Sequence, residues 1–249
     1  MTRTLVTIGV IFVLSGSNLS NVDAQNIYGP GGLLLNPTAL SQPKGHLTVS
    51  ILARRQDMSN MMPGMPYHTH SLGIVGLNYG LGSRTEAGIN FMGIGGDMGK
   101  PPTYGGFLKH VIVKENNMKP AIALGVVSMP VSHWRTQFGF LAATKTLATT
   151  ESGHPIHAHV GVIAPTSLAG VRTTDLSPYA GMDIGLSPQL TFFLEGRSKT
   201  SADASMASAV GISYKFGQDS TLSIGLANEG AGDKHLFNIG IGYNFTTLD

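Results

Sequence analysis

Bulky apolar residues fall at every second position along the last strand-length run of the chain. Phe237, Ile239, Ile241, Tyr243 and Phe245 alternate with Asn238, Gly240, Gly242 and Asn244. A period of two is the period of a β-strand, whose successive side chains leave opposite faces. The same alternation returns through the chain in runs separated by Gly, Pro, Asn, Asp and Ser. Helix-period windows are scarce. Twelve strands are expected, at 46–55, 71–80, 84–94, 103–113, 119–128, 134–146, 155–164, 176–186, 189–198, 204–216, 220–228 and 234–246.

The second face of these strands decides what the first one meets. In 221–227, Leu222, Ile224 and Leu226 oppose Thr221, Ser223, Gly225 and Ala227. In 85–91, Ala87, Ile89 and Phe91 oppose Glu86, Gly88 and Asn90. A soluble sandwich turns a face of Lys, Glu, Arg and Thr to water. Here that face is small and sparsely charged, which suits a confined wet interior. Charged residues are 12% of the 249, against roughly 25% in ordinary soluble domains. The chain is therefore expected to be all-β, an antiparallel up-and-down transmembrane barrel of about twelve strands, with its apolar face outward. A soluble barrel or sandwich is the alternative. Strand 103–113 fits poorly, since Phe107 and Lys109 share parity.

Loop lengths agree. Short connections at 81–83, 114–118, 187–188 and 217–219 alternate with longer ones at 56–70, 94–102, 165–177 and 198–203. Short periplasmic turns and longer outer loops are the rule for such barrels. "LATTESGH" (147–154) is too long for its place. Tyr79, Tyr214, Phe216, Tyr243 and Phe245 fall at the short-turn end, as an aromatic girdle would.

The N-terminus carries Arg3, an apolar run from Leu5 to Leu14, and a polar region ending "VDA". That run is too short to span a bilayer as a helix, which takes about 20 residues. Residues 1–24 are read as a cleaved signal peptide, residues 25–45 as an N-terminal periplasmic segment, and residues 46–249 as the barrel. The expected location is the bacterial outer membrane, after export through the inner membrane. Net charge is +2 and there is no cysteine. Nothing points to nucleic acid or to a cofactor, and a disulfide scaffold is excluded.

The segments "YGLGSRTEAGINF" (79–91), "IGLSPQLTFFLEG" (184–196), "YKFGQDSTLSIGL" (214–226) and the final "GIGYNF" resemble bacterial outer-membrane β-barrel proteins. "GPGGLLLNPTALSQPKGHLTVSI" (29–51) is similar to the start of YjbH-like and related porin-type barrels. This resemblance implies outer-membrane lipid and the outer-membrane assembly machinery as partners. It implies little about cargo. Four residues follow Phe245, whereas the C-terminal assembly signal usually ends in Phe.

The inward set expected to line the lumen is Arg54, Glu86, Asn90, Arg135, Lys145, Asp183, Glu195, Arg197 and Lys215. Charges of both signs can pair as a plug or line a pore. Abundant inward Gly, Ala and Ser favours a narrow porin-like channel for small polar solutes. A barrel enzyme acting on membrane lipid and a non-conducting structural or export-associated barrel are the alternatives. No G-x-S-x-G is present, so no enzyme is expected. Met58, Met61, Met62, Met65, His68 and His70 share one loop whose thioethers and imidazoles would suit copper. Surface methionines on an outer loop are the preferred reading. His157 and His159 share a strand face, with no third ligand near them in sequence. They are read as inward barrel histidines.

Overall fold

The structure is a computed structural model and describes residues 32–57, 69–95, 103–131, 134–165, 176–198, 206–217, 219–228 and 236–246. Residues 1–24 and the loop residues Met58, Met61, Met62, Met65 and His68 lie outside these; His70 is described only as a position on a strand.

Twelve strands follow in chain order: β1 (His46–Asp57), β2 (Thr69–Gly80), β3 (Thr85–Gly95), β4 (Thr103–Val113), β5 (Ala121–Val131), β6 (Trp134–Thr149), β7 (Pro155–Pro165), β8 (Ser177–Gly185), β9 (Leu190–Arg197), β10 (Ala207–Phe216), β11 (Ser220–Asn228) and β12 (Leu236–Thr246). Each pairs antiparallel with its chain neighbours, and β12 pairs with β1, so the sheet closes into an up-and-down barrel. Closure leaves no edge strand with unpaired backbone groups. At the seam, Ile51 stands opposite Ile241 and Leu47 opposite Phe245.

One end of the barrel holds the short connections 81–84, 114–120, 150–154, 186–189 and 217–219, with the start of β1 and the end of β12. It is called the turn end below, and the opposite end the loop end. The overlong "LATTESGH" resolves here. β6 runs on to Thr149, with a register shift between Thr146 and Ala148. The bulge absorbs the excess residue, and the turn shrinks to 150–154, closed by Thr150 N–H donating to His154 O at 2.7 Å. Gly153 adopts φ +82° there, a conformation open mainly to glycine.

The outer face carries a belt of large apolar side chains. Ile241, Ile51, Val75, Phe91 and Tyr104 are successive cross-strand partners on β12, β1, β2, β3 and β4, and every one is exposed. Side chains of this kind exposed in a belt far exceed the scattered apolar residues of a soluble surface.

The inner face departs from the sequence expectation in two ways. First, it is not polar throughout. On β4 to β8, Phe107, Val111, Val127, Phe138, Phe140 and Ile163 point inward and form one apolar cluster. Phe107 and Lys109 do share a face, and that face is interior. On β6 the even positions Phe138, Phe140, Ala142 and Thr144 are buried while Leu141 and Leu147 are exposed. Lys145 therefore belongs to the odd, outward row of β6. Taking the apolar row of this strand as the outer one inverts it.

Secondly, the expected periplasmic segment enters the barrel. Residues 32–39 are all buried. Gly32 and Pro37 form an isolated antiparallel bridge, which closes a knuckle of Leu33, Leu34, Leu35 and Asn36. The three leucines pack with Leu52, Ile74, Phe193, Ala207, Ala209 and Ala227 of the wall. Burying each leucine contributes about 1.5–3 kcal/mol. The chain then returns to the turn end, where Gly45, at φ +78°, donates its N–H to Gly80 O at 2.9 Å and turns into β1.

Aromatic rings on the inner face lie over glycines of the neighbouring strand. Phe107 pairs with Gly88, Phe140 with Gly125, Tyr179 with Gly161 and Phe193 with Gly211. At each of these glycines a Cβ would collide with the partner's ring. The ring covers backbone that the glycine leaves bare, and the pairing fixes register.

Candidate functional site

The candidate site is the interior, built from the N-terminal segment and the inward rows that hold it. The segment meets the wall strand by strand. Gln42 N–H donates to Glu86 Oε2 of β3 at 2.7 Å. Lys109 Nζ of β4 donates to Leu40 O. Ala39 N–H donates to Thr144 Oγ1 of β6 at 3.0 Å. The Tyr179 hydroxyl of β8 donates to Pro37 O at 2.8 Å. Leu35 N–H and Asn36 Nδ2 donate to the two carboxylate oxygens of Glu195 on β9, each at 2.7 Å. A peptide lacking regular secondary structure can be buried only if its backbone groups find such partners.

Glu86 and Lys109 also pair with each other, Oε1 to Nζ at 2.8 Å, with both side chains at 0% exposure. Asn90 is buried on the same row of β3 as Glu86. Arg197 is buried two residues beyond Glu195. Lys215 faces the lumen on β10 and lines a cavity of about 270 Å³. Asp183 lines it as well, with Thr191, Ser213 and Thr221. Gly32, Leu33 and Thr38 form its ceiling and the 186–189 turn its rim at the turn end.

Three of the residues expected at the lumen lie elsewhere or outside description. Lys145 sits at the turn-end rim, where its Nζ meets Asn116 O at 2.6 Å and Glu115 Oε1 at 3.3 Å. It pins the β4–β5 turn and is not a lumen residue. The side chains of Arg54 and Arg135 lie outside the described residues.

Among the described residues outside the strands, the Glu115 carboxyl is displaced from its ordinary titration. Its partial burial works to raise it. The Thr146 N–H at 2.8 Å, the Thr146 hydroxyl at 3.2 Å and Lys145 outweigh that and hold it below the usual carboxylate range.

A further group was only half visible in the sequence. His157 Nδ1 lies 2.8 Å from Asp183 Oδ1 and His159 Nε2 lies 2.6 Å from Asp183 Oδ2. Asp183 is the cross-strand partner of His157. It is the third group that sequence spacing did not supply. The other nitrogen of His159, Nδ1, is 3.0 Å from Thr144 Oγ1. Thr144, His159 and Asp183 thus have the connectivity of a nucleophile, a base and an orienting acid. Thr144 is completely buried and its oxygen already accepts the Ala39 N–H. No substrate reaches it with the segment in place.

No protein-family model matches the chain, and no curated protein matches it. Solved structures do. The chain is similar to the KdgM porin, at 10% identity and a TM-score of 0.59, over 80% of this chain and 99% of that one. It is similar to the NanC porin, at 11% identity and 0.52, over 81% and 100%. It is similar to the Acinetobacter baumannii outer membrane protein Omp33, at 8% identity and 0.50, over 82% and 99%. None of these carries the narrower YjbH-like likeness of residues 29–51. The fold of this chain is the closed antiparallel barrel of bacterial outer-membrane porins.

Proposed function

We propose that the protein is a narrow porin-like channel of the bacterial outer membrane for small polar solutes, with its bore set by residues 32–42. The observation that carries the reading is the pairing of an apolar outer belt with an interior of buried polar groups and a cavity onto which Asp183, Lys215, Thr191, Ser213 and Thr221 open. Lipid is the solvent that such a belt needs. The turn end then faces the periplasm and the loop end the outside. The fold likeness to porins supports the same reading, as does the sealed hydroxyl of Thr144 against lipid chemistry. The assembly machinery of the outer membrane is the expected partner during biogenesis.

Among the structurally similar proteins, the KdgM porin is seen in complex with a disordered oligogalacturonate, at 10% identity to this chain. Lys215 and Arg197 offer cationic groups on the inner wall here, and Glu86, Asp183 and Glu195 offset them. A mixed lining of this kind favours small neutral or zwitterionic polar solutes over a long polyanion.

Purified protein in a planar bilayer is expected to give small stepwise conductance, and Glu195→Ala larger steps. Silence from both proteins excludes the channel and leaves a structural barrel.

A further inference from the structure

We propose that His157, His159 and Asp183 form a binding site for a late first-row divalent metal, Zn²⁺ foremost, on the inner wall of β7 and β8. The site is independent of whether the barrel conducts.

Three observations place it. The first is convergence. His157 and His159 are two apart on β7 and so project from one face, and register brings Asp183 opposite His157. One ligand atom from each residue lies within 4.8 Å of the others. Two imidazoles and a carboxylate are a borderline-soft set that suits zinc.

The second is orientation from behind. A metal-bound imidazole commonly donates its remote N–H to a fixed acceptor. Thr144 Oγ1 stands 3.0 Å from His159 Nδ1 and is itself held by the Ala39 N–H at 3.0 Å. Coordination replaces the two imidazole–carboxylate hydrogen bonds. The ring proton of His159 then resides on Nδ1, facing Thr144, and Nε2 takes the metal.

The third is access. His157 and Asp183 line the 270 Å³ cavity while His159 is sealed behind them. Three protein ligands on a cavity wall leave the fourth tetrahedral position for water or a solute donor.

The test uses the folded full-length mature protein, with barrel formation checked by the shift in gel mobility on boiling. His68→Ala and His70→Ala are introduced together, so that loop imidazoles do not contribute. Zn²⁺ binding is read by titration calorimetry, and Co²⁺ by its visible absorption. The expected result is one Zn²⁺ per chain and a tetrahedral Co²⁺ band. Asp183→Asn and His157→Gln should each lower the Zn²⁺ affinity at least 100-fold. Thr144→Val, which removes the orienting acceptor together with the partner of the Ala39 N–H, should lower it roughly 10- to 100-fold. His110→Gln, on the outer face of β4, should change nothing. If Asp183→Asn does not fold, His157→Gln, whose side chain faces the cavity, carries the comparison. No Zn²⁺ uptake at micromolar concentration overturns the proposal, and so does affinity that survives His157→Gln.

Discussion

Leu35 donates its backbone N–H to Glu195 across 160 residues of sequence, at 2.7 Å. With the Asn36 amide on its other oxygen, Glu195 is the anchor at the far end of the N-terminal segment. Glu195→Ala removes both acceptors at once. Since the protein has no cysteine, Thr38→Cys, at a buried position of the same segment, gives a clean reporter. It should resist a water-soluble maleimide in the parent and label readily beside Glu195→Ala. Equal labelling in both would show that Glu195 does not hold the segment.

The Glu86–Lys109 pair makes a different prediction, about stability. Lys109→Met leaves a buried carboxylate with the Gln42 N–H but without its cation. Breaking a buried pair from one side costs about 3–5 kcal/mol. Urea unfolding, followed by the loss of gel-shift behaviour, should move by that amount. A change below about 1 kcal/mol would mean that water or another group reaches Glu86.

Ring-on-glycine pairs should fail from either side. Phe140→Ala strips the cover from Gly125 and is expected to cost about 3–5 kcal/mol. Gly125→Val drives a side chain into Phe140 and is expected to cost at least about 1–3 kcal/mol. Both substitutions sit on the inner wall, so unfolding in detergent reads them without a change in lipid contact. Tolerance of Gly125→Val would remove the pairs from the list of features that set register.

Arginine on the outer belt tests the solvent of that face. Ile241→Arg, at the β1–β12 seam, should cost roughly 2–4 kcal/mol if the position lies at the bilayer midplane. Asn238→Arg, on the inward row of the same strand, should not show the same dependence on acyl-chain length of the host lipid. Folding into vesicles of two thicknesses separates the two. Indifference of Ile241→Arg to lipid would contradict a membrane-facing belt.

At the turn end, Glu115 predicts a pH dependence. Its folded-state pKa is held below the unfolded one, so its contribution is complete above the unfolded value, about 4.3. That contribution is lost as pH falls through the lower folded value. The Thr146 amide, bonded to Glu115, should exchange slowly above that range. Its protection should fall on acidification further than that of Ala142 on the same strand. Glu115→Gln should abolish the difference.

The sequence disclosed the barrel through alternation, and β3, β10, β11 and β12 show why. On those strands one row is bulky and apolar, the other small or polar, and the rule for such barrels applies directly. It failed on β6, where Phe138 and Phe140 are apolar and inward because they cover Gly125 and fill the cluster around Ala39. Alternation records contrast between rows, and on β6 the bulkier apolar row is the inner one. The segment 32–42 has no periodicity to read, because its backbone bonds go to wall side chains and not to a ladder. Two signals for it were present. Three consecutive leucines have no place in a water-exposed segment, and an interior holding Glu86, Lys109 and Glu195 requires partners that the wall alone does not supply. The His157–His159 pair was visible as a spacing. Asp183 joined it only through the register of β7 with β8, which is fixed by the whole sheet.

The tether at Gly45 gives the interior a direction. The segment hangs from the turn end by one strand of chain, and the closed seam of β1 and β12 bars any sideways exit. The buried peptide is therefore covalently continuous with the first strand of the wall, and its hydrogen bonds reach five further strands, β3, β4, β6, β8 and β9.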